Sequence, residues 1–275
     1  MNMNMRKSFW AFTAAALVAF ACDSTKKESN ENTEAVDSTA VSEVTEEEST
    51  APNSLSAAEQ EEGWKLLFDG TSTDGWRGYM SEEFPSDWKV EDGTLYMSAS
   101  GRGEAGSENG GDILYDEKYG NFHLKVDWKI SEGGNSGIFY LGQESDKYDY
   151  IWKTAPEMQV LDNEKHPDAM LGTDGNRKAG SLYDLYPAKP ASAVNPVGEW
   201  NTAEVISYNG TVVHKLNGET VVEYHLWTPQ WKEDVAKSKF PELNENWAEV
   251  AKEGYIGLQD HGDDVWFRNI KIKQL

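Results

Sequence analysis

Between Asn121 and Ile130 the apolar residues Phe122, Leu124, Val126, Trp128 and Ile130 alternate with His123, Lys125, Asp127 and Lys129. A period of two puts one set on a buried sheet face and the other in water, so this segment is a strand. Asn209-Gly210 and Asn217-Gly218 separate three further β-rich runs, Trp200 to Tyr208, Thr211 to Leu216 and Thr220 to Tyr224. Asn-Gly supplies the positive φ angles of a two-residue hairpin turn, so these runs form a meander. Similar runs at Trp64 to Phe68, Trp88 to Met97, Ile113 to Tyr115, Gly137 to Leu141, Met158 to Leu161, Tyr255 to Gln259 and Val265 to Lys273 bring the total to about a dozen strands. Only the stretch from about Asp234 to Lys252 reads as helical. Many short strands with Gly-rich turns and no strand-helix alternation predict an all-β fold, two antiparallel sheets packed as a sandwich with a short helical insertion.

The first 60 residues follow a different pattern. Residues 1–21 carry a basic start (Arg6, Lys7), an apolar run from Phe9 to Phe20, and Ala21 directly before Cys22. That is the layout of a secretory signal, and the apolar run is too short to span a bilayer stably. Cleavage there leaves Cys22 as the new N-terminus, so the segment resembles a bacterial lipoprotein signal in which that thiol is lipidated. The expectation is a lipid-anchored protein of the bacterial cell envelope, with plain secretion as the alternative. Residues 22–60 are rich in Ser, Thr, Glu and Asp and nearly free of aromatics, a composition that buries too little apolar surface to offset the entropy of ordering. They read as a flexible acidic tether, followed by a single domain over residues 61–275.

Composition narrows the function classes. Asp and Glu outnumber Lys and Arg by 48 to 25, for a formal charge of −23, which disfavours nucleic acid as a partner. The single Cys excludes a disulfide framework and a cysteine-rich zinc site. There is no phosphate-binding Gly loop between strand and helix, no HExxH helix and no GxSxG elbow.

The polar residues must therefore be read by strand face. In Glu157-Met158-Gln159-Val160-Leu161-Asp162, alternation buries Met158 and Val160 and turns Glu157 and Gln159 to the other side. In Ile256-Gly257-Leu258-Gln259-Asp260-His261, Ile256 and Leu258 go inward while Gln259 and His261 face out. If both faces line one hollow, a carboxylate, an imidazole and two amides converge, a set suited to proton transfer near a polyhydroxylated ligand. The plainer alternative is two ordinary solvated faces of antiparallel sheet.

Gly133-Gly134-Asn135-Ser136-Gly137 has the composition of a hairpin turn, with Asn135 a candidate sugar contact. His166 and Asp168 lie in a long loop where function and plain exposure are both open. His123 and His214, within strands, read as structural. Alternation places Arg268 on a face with Trp266, Ile270 and Ile272, as either a structural ion pair or a substrate contact. Glu157, Asp162, His166 and His261 leave a divalent metal open, but no spacing certifies one and no cofactor is required. Eleven Trp supply stacking surfaces for sugar rings, although an individual Trp more often belongs to the core.

Phe68-Asp69-Gly70 with Trp76, Trp88 before Val90-Glu91-Asp92-Gly93-Thr94-Leu95, Gly133 to Phe139, Glu157 to Asp162, Gly198-Glu199-Trp200-Asn201, His214 with Asn217-Gly218, and Gly257 to Gly262 before Phe267-Arg268-Asn269-Ile270 occur in order across residues 61–275. Each piece is weak alone, but the ordered set resembles the 3-keto-disaccharide hydrolase family. The resemblance implies a concanavalin A-like jelly roll and activity on glycosides oxidised at C3. It also implies an envelope role in glycoside breakdown, with a partner oxidoreductase generating the keto sugar.

A ketone at C3 acidifies the C2 hydrogen, so a base can form an enolate that expels the glycosidic oxygen from C1, after which water adds. Carried over by motif position, Glu157 and His261 become the base and acid in either order. Asn135, Gln159, Gln259, Asp162, His166 and Arg268 become substrate contacts. An ordinary glycosidase would need two suitably spaced carboxylates, and no second one is evident beside Glu157. The alternatives are a non-catalytic carbohydrate-binding lipoprotein, a surface adhesion module, and a 3-keto-glycoside 1,2-lyase that stops at the unsaturated sugar.

Overall fold

A computed structural model of the chain describes residues 51–103 and 106–275. The segment read as a signal, Cys22 and most of the stretch read as a tether lie outside the described residues. The described residues include a segment before residue 61 that packs onto the domain. Asn53 and Asn269 exchange two hydrogen bonds, the Asn53 N–H donating to Asn269 Oδ1 (2.6 Å) and the Asn269 N–H to Asn53 Oδ1 (2.8 Å). A one-turn helix, α1 (Ala57–Glu61), follows, started by Ser56 and Glu59, each of whose side chains accepts from the other's backbone N–H.

Among the described residues thirteen strands, numbered in chain order, form two antiparallel sheets. The larger contains β1 (Trp64–Leu66), β3 (Trp88–Glu91), β4 (Thr94–Met97), β6 (Phe122–Ile130), β9 (Asn201–Tyr208), β10 (Thr211–Leu216), β11 (Glu219–His225) and β13 (Val265–Gln274). Its order is β11-β10-β9-β6-β13-β4-β3, with β1 joining the second half of β13. The smaller sheet runs β2 (Trp76–Gly78), β5 (Ile113–Tyr119), β12 (Gly254–Leu258), β7 (Asn135–Gly142), β8 (Glu157–Leu161). The meander is present as β9-β10-β11, turned at Asn209 and Asn217, both of which take positive φ.

Alternation explains the core. Phe122, Leu124, Val126 and Trp128 of the larger sheet meet Ile138, Tyr140, Met158, Val160, Ile256 and Leu258 of the smaller in one buried cluster. The smaller sheet is also covered on its outer side, where Leu114, Phe139, Ile151 and Ala155 form a second cluster. That is why β7 and β8 are buried on both faces. The helical segment is earlier and shorter than Asp234 to Lys252: α2 spans Pro229–Ala236 and α3 Phe240–Leu243. Thr228 caps α2 by accepting from the Trp231 N–H (3.1 Å), and Pro229 at its first position suits a helix start.

Arg268 needs a correction. Strict alternation fails in β13, where a bulge lies between Arg268 and Lys271 and Asn269 takes φ 50°. Val265, Phe267, Ile270 and Ile272 all point inward, whereas Trp266 and Arg268 lie on the outer face of the larger sheet. There the Arg268 guanidinium stacks 4.0 Å from the Trp200 ring centre, with Nε 3.5 Å from Asp127. It is structural and faces away from the smaller sheet.

His214 is structural as well. It sits fully buried between the sheets, its Nδ1–H donating to Gly180 O (3.1 Å) and its Nε2 accepting from Tyr140 (2.7 Å), which in turn accepts from Tyr224 (2.7 Å). Burial lowers its pKa from 6.5 to about 4, so the folded state holds it neutral. A depressed folded pKa contributes stability that is complete above the free imidazole value and lost as pH falls from there toward the folded value. Denaturant unfolding of the wild type should therefore lose about 3 kcal/mol more between pH 7 and pH 4 than His214→Gln does. Equal losses in the two proteins would contradict the assignment.

Candidate active site

The register of the smaller sheet places its outward residues in rows. Leu114, Gly257, Phe139 and Glu157 are directly paired across β5, β12, β7 and β8. One step along, the Gln259 N–H donates to Gly137 O (3.0 Å) and Gly137 pairs with Gln159. Gly137 is thus a bare floor between two amides. The Glu157 carboxylate lies over it, so closely that a Cβ built on Gly137 would fall 2.2 Å from Glu157 Oε1. Asn135 at the start of β7 and His261 just beyond β12 complete the group.

These residues line one cavity of about 360 Å³ including its mouth, with Trp152, Tyr183, Lys239 and Phe240 as the remaining wall. Glu157, Gln159, Gln259, Asn135 and His261, singled out from alternation and from the turn motif, are brought together. Four of them are nearly inaccessible: Asn135 4%, Glu157 6%, Gln159 1% and Gln259 8% exposed. Burying polar groups costs free energy unless partners are found. Asn135 Oδ1, Gln259 Oε1 and His261 Nδ1 have no hydrogen-bond partner among the described residues. At about 1–3 kcal/mol each, such orphans mark a place prepared for a ligand, the two amide oxygens calling for hydrogen-bond donors while His261 Nδ1 faces Asp263.

Two groups behind His261 define its chemistry. Asp263 Oδ2 lies 3.6 Å from His261 Nδ1 and accepts the Asn135 N–H at 3.1 Å. A shortening of a few tenths of an ångström would make it the orienting acid of a His-Asp pair, leaving Nε2 to work as a base. His166 stands edge-on to His261, ring centres 5.7 Å apart. Its Nδ1 accepts the Asp168 N–H (3.1 Å), which puts its proton on Nε2. Burial, then the charge of His261, lowers the His166 pKa, so it serves as a neutral donor.

Of the four residues considered for a metal, only His166 and His261 fall together, joined by Asp263 with ligand atoms within 4.8 Å of one another. Both His166 nitrogens are committed, one to an amide and one to a proton. A cation held by the trio would first have to displace the Asp168 N–H.

Asp162 is not part of the cavity wall. Its carboxylate accepts from the backbone N–H groups of Gly133 (2.7 Å), Glu164 (2.9 Å) and Lys165 (3.2 Å), holding two loops. Burial pushes its pKa up, but these donors outweigh it and the pKa lies below the ordinary carboxylate value. Asp168 is likewise structural, paired with Arg177 (2.7 Å) and accepting from Tyr183 Oη (2.7 Å).

Residues that alternation does not reveal complete the wall. The Tyr183 N–H bonds Glu157 O (3.0 Å), adding a bridge segment beside β8. Lys239 Nζ donates to Tyr183 Oη (3.1 Å) and is the one cation among the lining residues. Asp263 carried the only local sequence signal, its place two residues after His261. The whole arrangement can take a proton from carbon, return one to oxygen, and stabilise an oxyanion in between.

Residues 63–273 match the family model described as a 3-keto-alpha-glucoside-1,2-lyase-like domain. A Bacteroides thetaiotaomicron protein named 3-keto-disaccharide hydrolase is 45% identical, over 98% of this chain and 100% of that protein. Two crystal structures of putative glycosyl hydrolases from Parabacteroides distasonis share the fold. The first has TM-score 0.71 and 32% identity over 82% of this chain and all of that one. The second has TM-score 0.59 and 28% identity over 77% of this chain and 99% of that one.

Gly137→Ala tests the cavity floor. The added methyl should displace the Glu157 carboxylate by about 1 Å while costing about 1–3 kcal/mol of stability and preserving both sheets. A crystal structure of the variant with Glu157 unmoved would contradict the packing described.

Proposed function

Because the chain belongs to the 3-keto-alpha-glucoside-1,2-lyase-like family, we propose that it cleaves 3-keto-glycosides, 3-keto-disaccharides among them, by proton abstraction at C2 followed by elimination and hydration. The observation that carries the reading is the buried convergence of Glu157, Gln159, Gln259, Asn135 and His261 around the unpartnered amide oxygens of Asn135 and Gln259. Sugar hydroxyls are the donors those atoms lack.

His261, backed by Asp263, takes the C2 proton on Nε2. The released electron pair moves into the C2–C3 bond and onto the ketone oxygen, where Lys239 and the buried amides offer positive charge and N–H groups. As the enolate collapses, the C1–O bond breaks and Glu157 donates its proton to the departing oxygen. Water then adds across C1 and C2, its hydroxyl to C1 while Glu157 recovers a proton, and protonated His261 returns a proton to C2. The balance is one water consumed per bond cleaved. If the unsaturated sugar leaves before water adds, the same residues make a lyase, as the family description also allows.

The N-terminal pattern around Cys22 supports a lipid-anchored location in the bacterial cell envelope. The substrate chemistry requires a partner oxidoreductase that oxidises C3.

Mass analysis of a 3-keto-disaccharide and its parent disaccharide, incubated with the protein with and without chelator, tests the proposal. Cleavage of the keto form alone is expected, with the mass of one water gained in the hydrolase case and none in the lyase case. His261→Ala and Glu157→Gln should each lower kcat/KM by about 10²–10⁴. Cleavage of the parent sugar, or full activity in both variants, would overturn it. Abolition of activity by the chelator would replace the His-Asp base with a metal-assisted one.

A further inference from the structure

Beside the candidate active site lies a second, larger cavity, about 870 Å³ including its mouth, whose lining includes Tyr79, Phe84, Asn109, Asp112, Asp149 and Tyr150. The two adjoin at two points. In the smaller sheet Ile113 pairs with Leu258, so the preceding Asp112 stands beside Gln259, and Asp112 Oδ1 accepts the Asp260 N–H at 3.2 Å. In the covering strap, Tyr150 stacks on Trp152 with ring centres 5.6 Å apart and planes at 15°. Tyr150 and Asp112 line the second cavity, whereas Trp152 and Gln259 line the first.

The strap is fastened on both sides. Tyr79 Oη donates to Tyr148 O (3.0 Å), Trp247 Nε1 to Trp152 O (3.1 Å) and Asn244 Nδ2 to Lys153 O (2.9 Å). The Tyr150–Trp152 pair is therefore held in place where the two cavities adjoin.

We propose that this second cavity is the leaving-group subsite and that it takes an uncharged, polyhydroxylated group such as a second sugar ring. The inference rests on the reaction proposed above, in which the glycosidic bond must lie where one cavity meets the next. Aromatic faces at Tyr79, Phe84 and Tyr150 suit the C–H surface of a pyranose, and Asn109, Asp112 and Asp149 suit its hydroxyls. Asp112 Oδ2 is buried and makes no full hydrogen bond within the protein. Burial raises this carboxyl to about 7, with the nearby Asp260 charge adding to the rise, so near neutral pH it can donate as well as accept. Glu83 and Asp149 line the cavity and no Lys or Arg does; Lys153 Nζ, 3.8 Å from Asp149 Oδ2, offsets part of that charge, and the remainder disfavours an anionic leaving group.

The test uses one 3-keto-glucosyl unit carrying three leaving groups: methanol, glucose and glucuronate. With the wild type, kcat/KM for the glucose conjugate should exceed that for the glucuronate conjugate by about tenfold or more, and Asp149→Asn should narrow the gap. Tyr150→Ala should lower kcat/KM for the glucose conjugate on the order of tenfold while leaving the methyl glycoside within about twofold. Equal losses on methyl and glucose conjugates would show that Tyr150 acts only through Trp152, and would overturn the subsite. A wild type indifferent to the carboxylate would do the same without relying on any variant. Failure of the wild type to cleave any of the three would instead overturn the underlying reaction.

Discussion

Removing Glu157, Gln159, Gln259 and Asn135 from water on the outer face of a β-sheet is the constraint around which the rest of the molecule is arranged. Sheet faces that carry such groups are normally solvated, and burying polar groups opposes folding unless partners are found. Here the cost is offset by the apolar cluster between the sheets and by a second cluster of Leu114, Phe139, Ile151 and Ala155 farther along the same outer face. Gly137 leaves room for the carboxylate above it, and the fastened strap bearing Trp152 excludes water from one side. The polar row is tolerated because the surrounding packing holds it, and the unpartnered oxygens of Asn135 and Gln259 are what a hydroxyl-rich ligand would complete.

Much of this was legible in the sequence because β-strand alternation is a strict period. Two short segments, Glu157 to Leu161 and Ile256 to His261, carry both their inward apolar and outward polar sets in plain order, and the Asn-Gly turns bound the meander. What failed did so for identifiable reasons. One extra residue at Asn269, held at positive φ, reverses the parity of β13 and sends Arg268 to the far side of the molecule. Asp162 sits next to a site strand, yet its carboxylate is consumed by three backbone amides, a fate set by how the loops fold back. Asp112, Trp152, Tyr183 and Lys239 arrive from segments far apart in the chain, and no local pattern reports their meeting. The ordered motifs that resembled a known family are matched over residues 63–273 by its model.

Membership in that family and the geometry of the cavity supply different parts of the functional reading. The family supplies the class of substrate; the cavity supplies a set of roles. His261 stands before Asp263, His166 is fixed as a donor by the Asp168 amide, and Lys239 is the lone lining cation beside Tyr183. Such an arrangement fits chemistry that begins at a carbon acid, which needs one base and a stabilised oxyanion, better than direct displacement between two spaced carboxylates. It also explains why a single carboxylate on the row is enough.

The central claim is that this row acidifies and deprotonates C2 of a 3-keto sugar. Proton NMR of 3-keto-glucose, which has no leaving group beyond its anomeric hydroxyl, incubated with the protein in deuterated water reads that step alone. The account requires exchange of the C2 hydrogen at a rate that falls sharply in His261→Ala and survives Arg268→Ala. Exchange confined to C4, or none at C2 above the rate without protein, would contradict it.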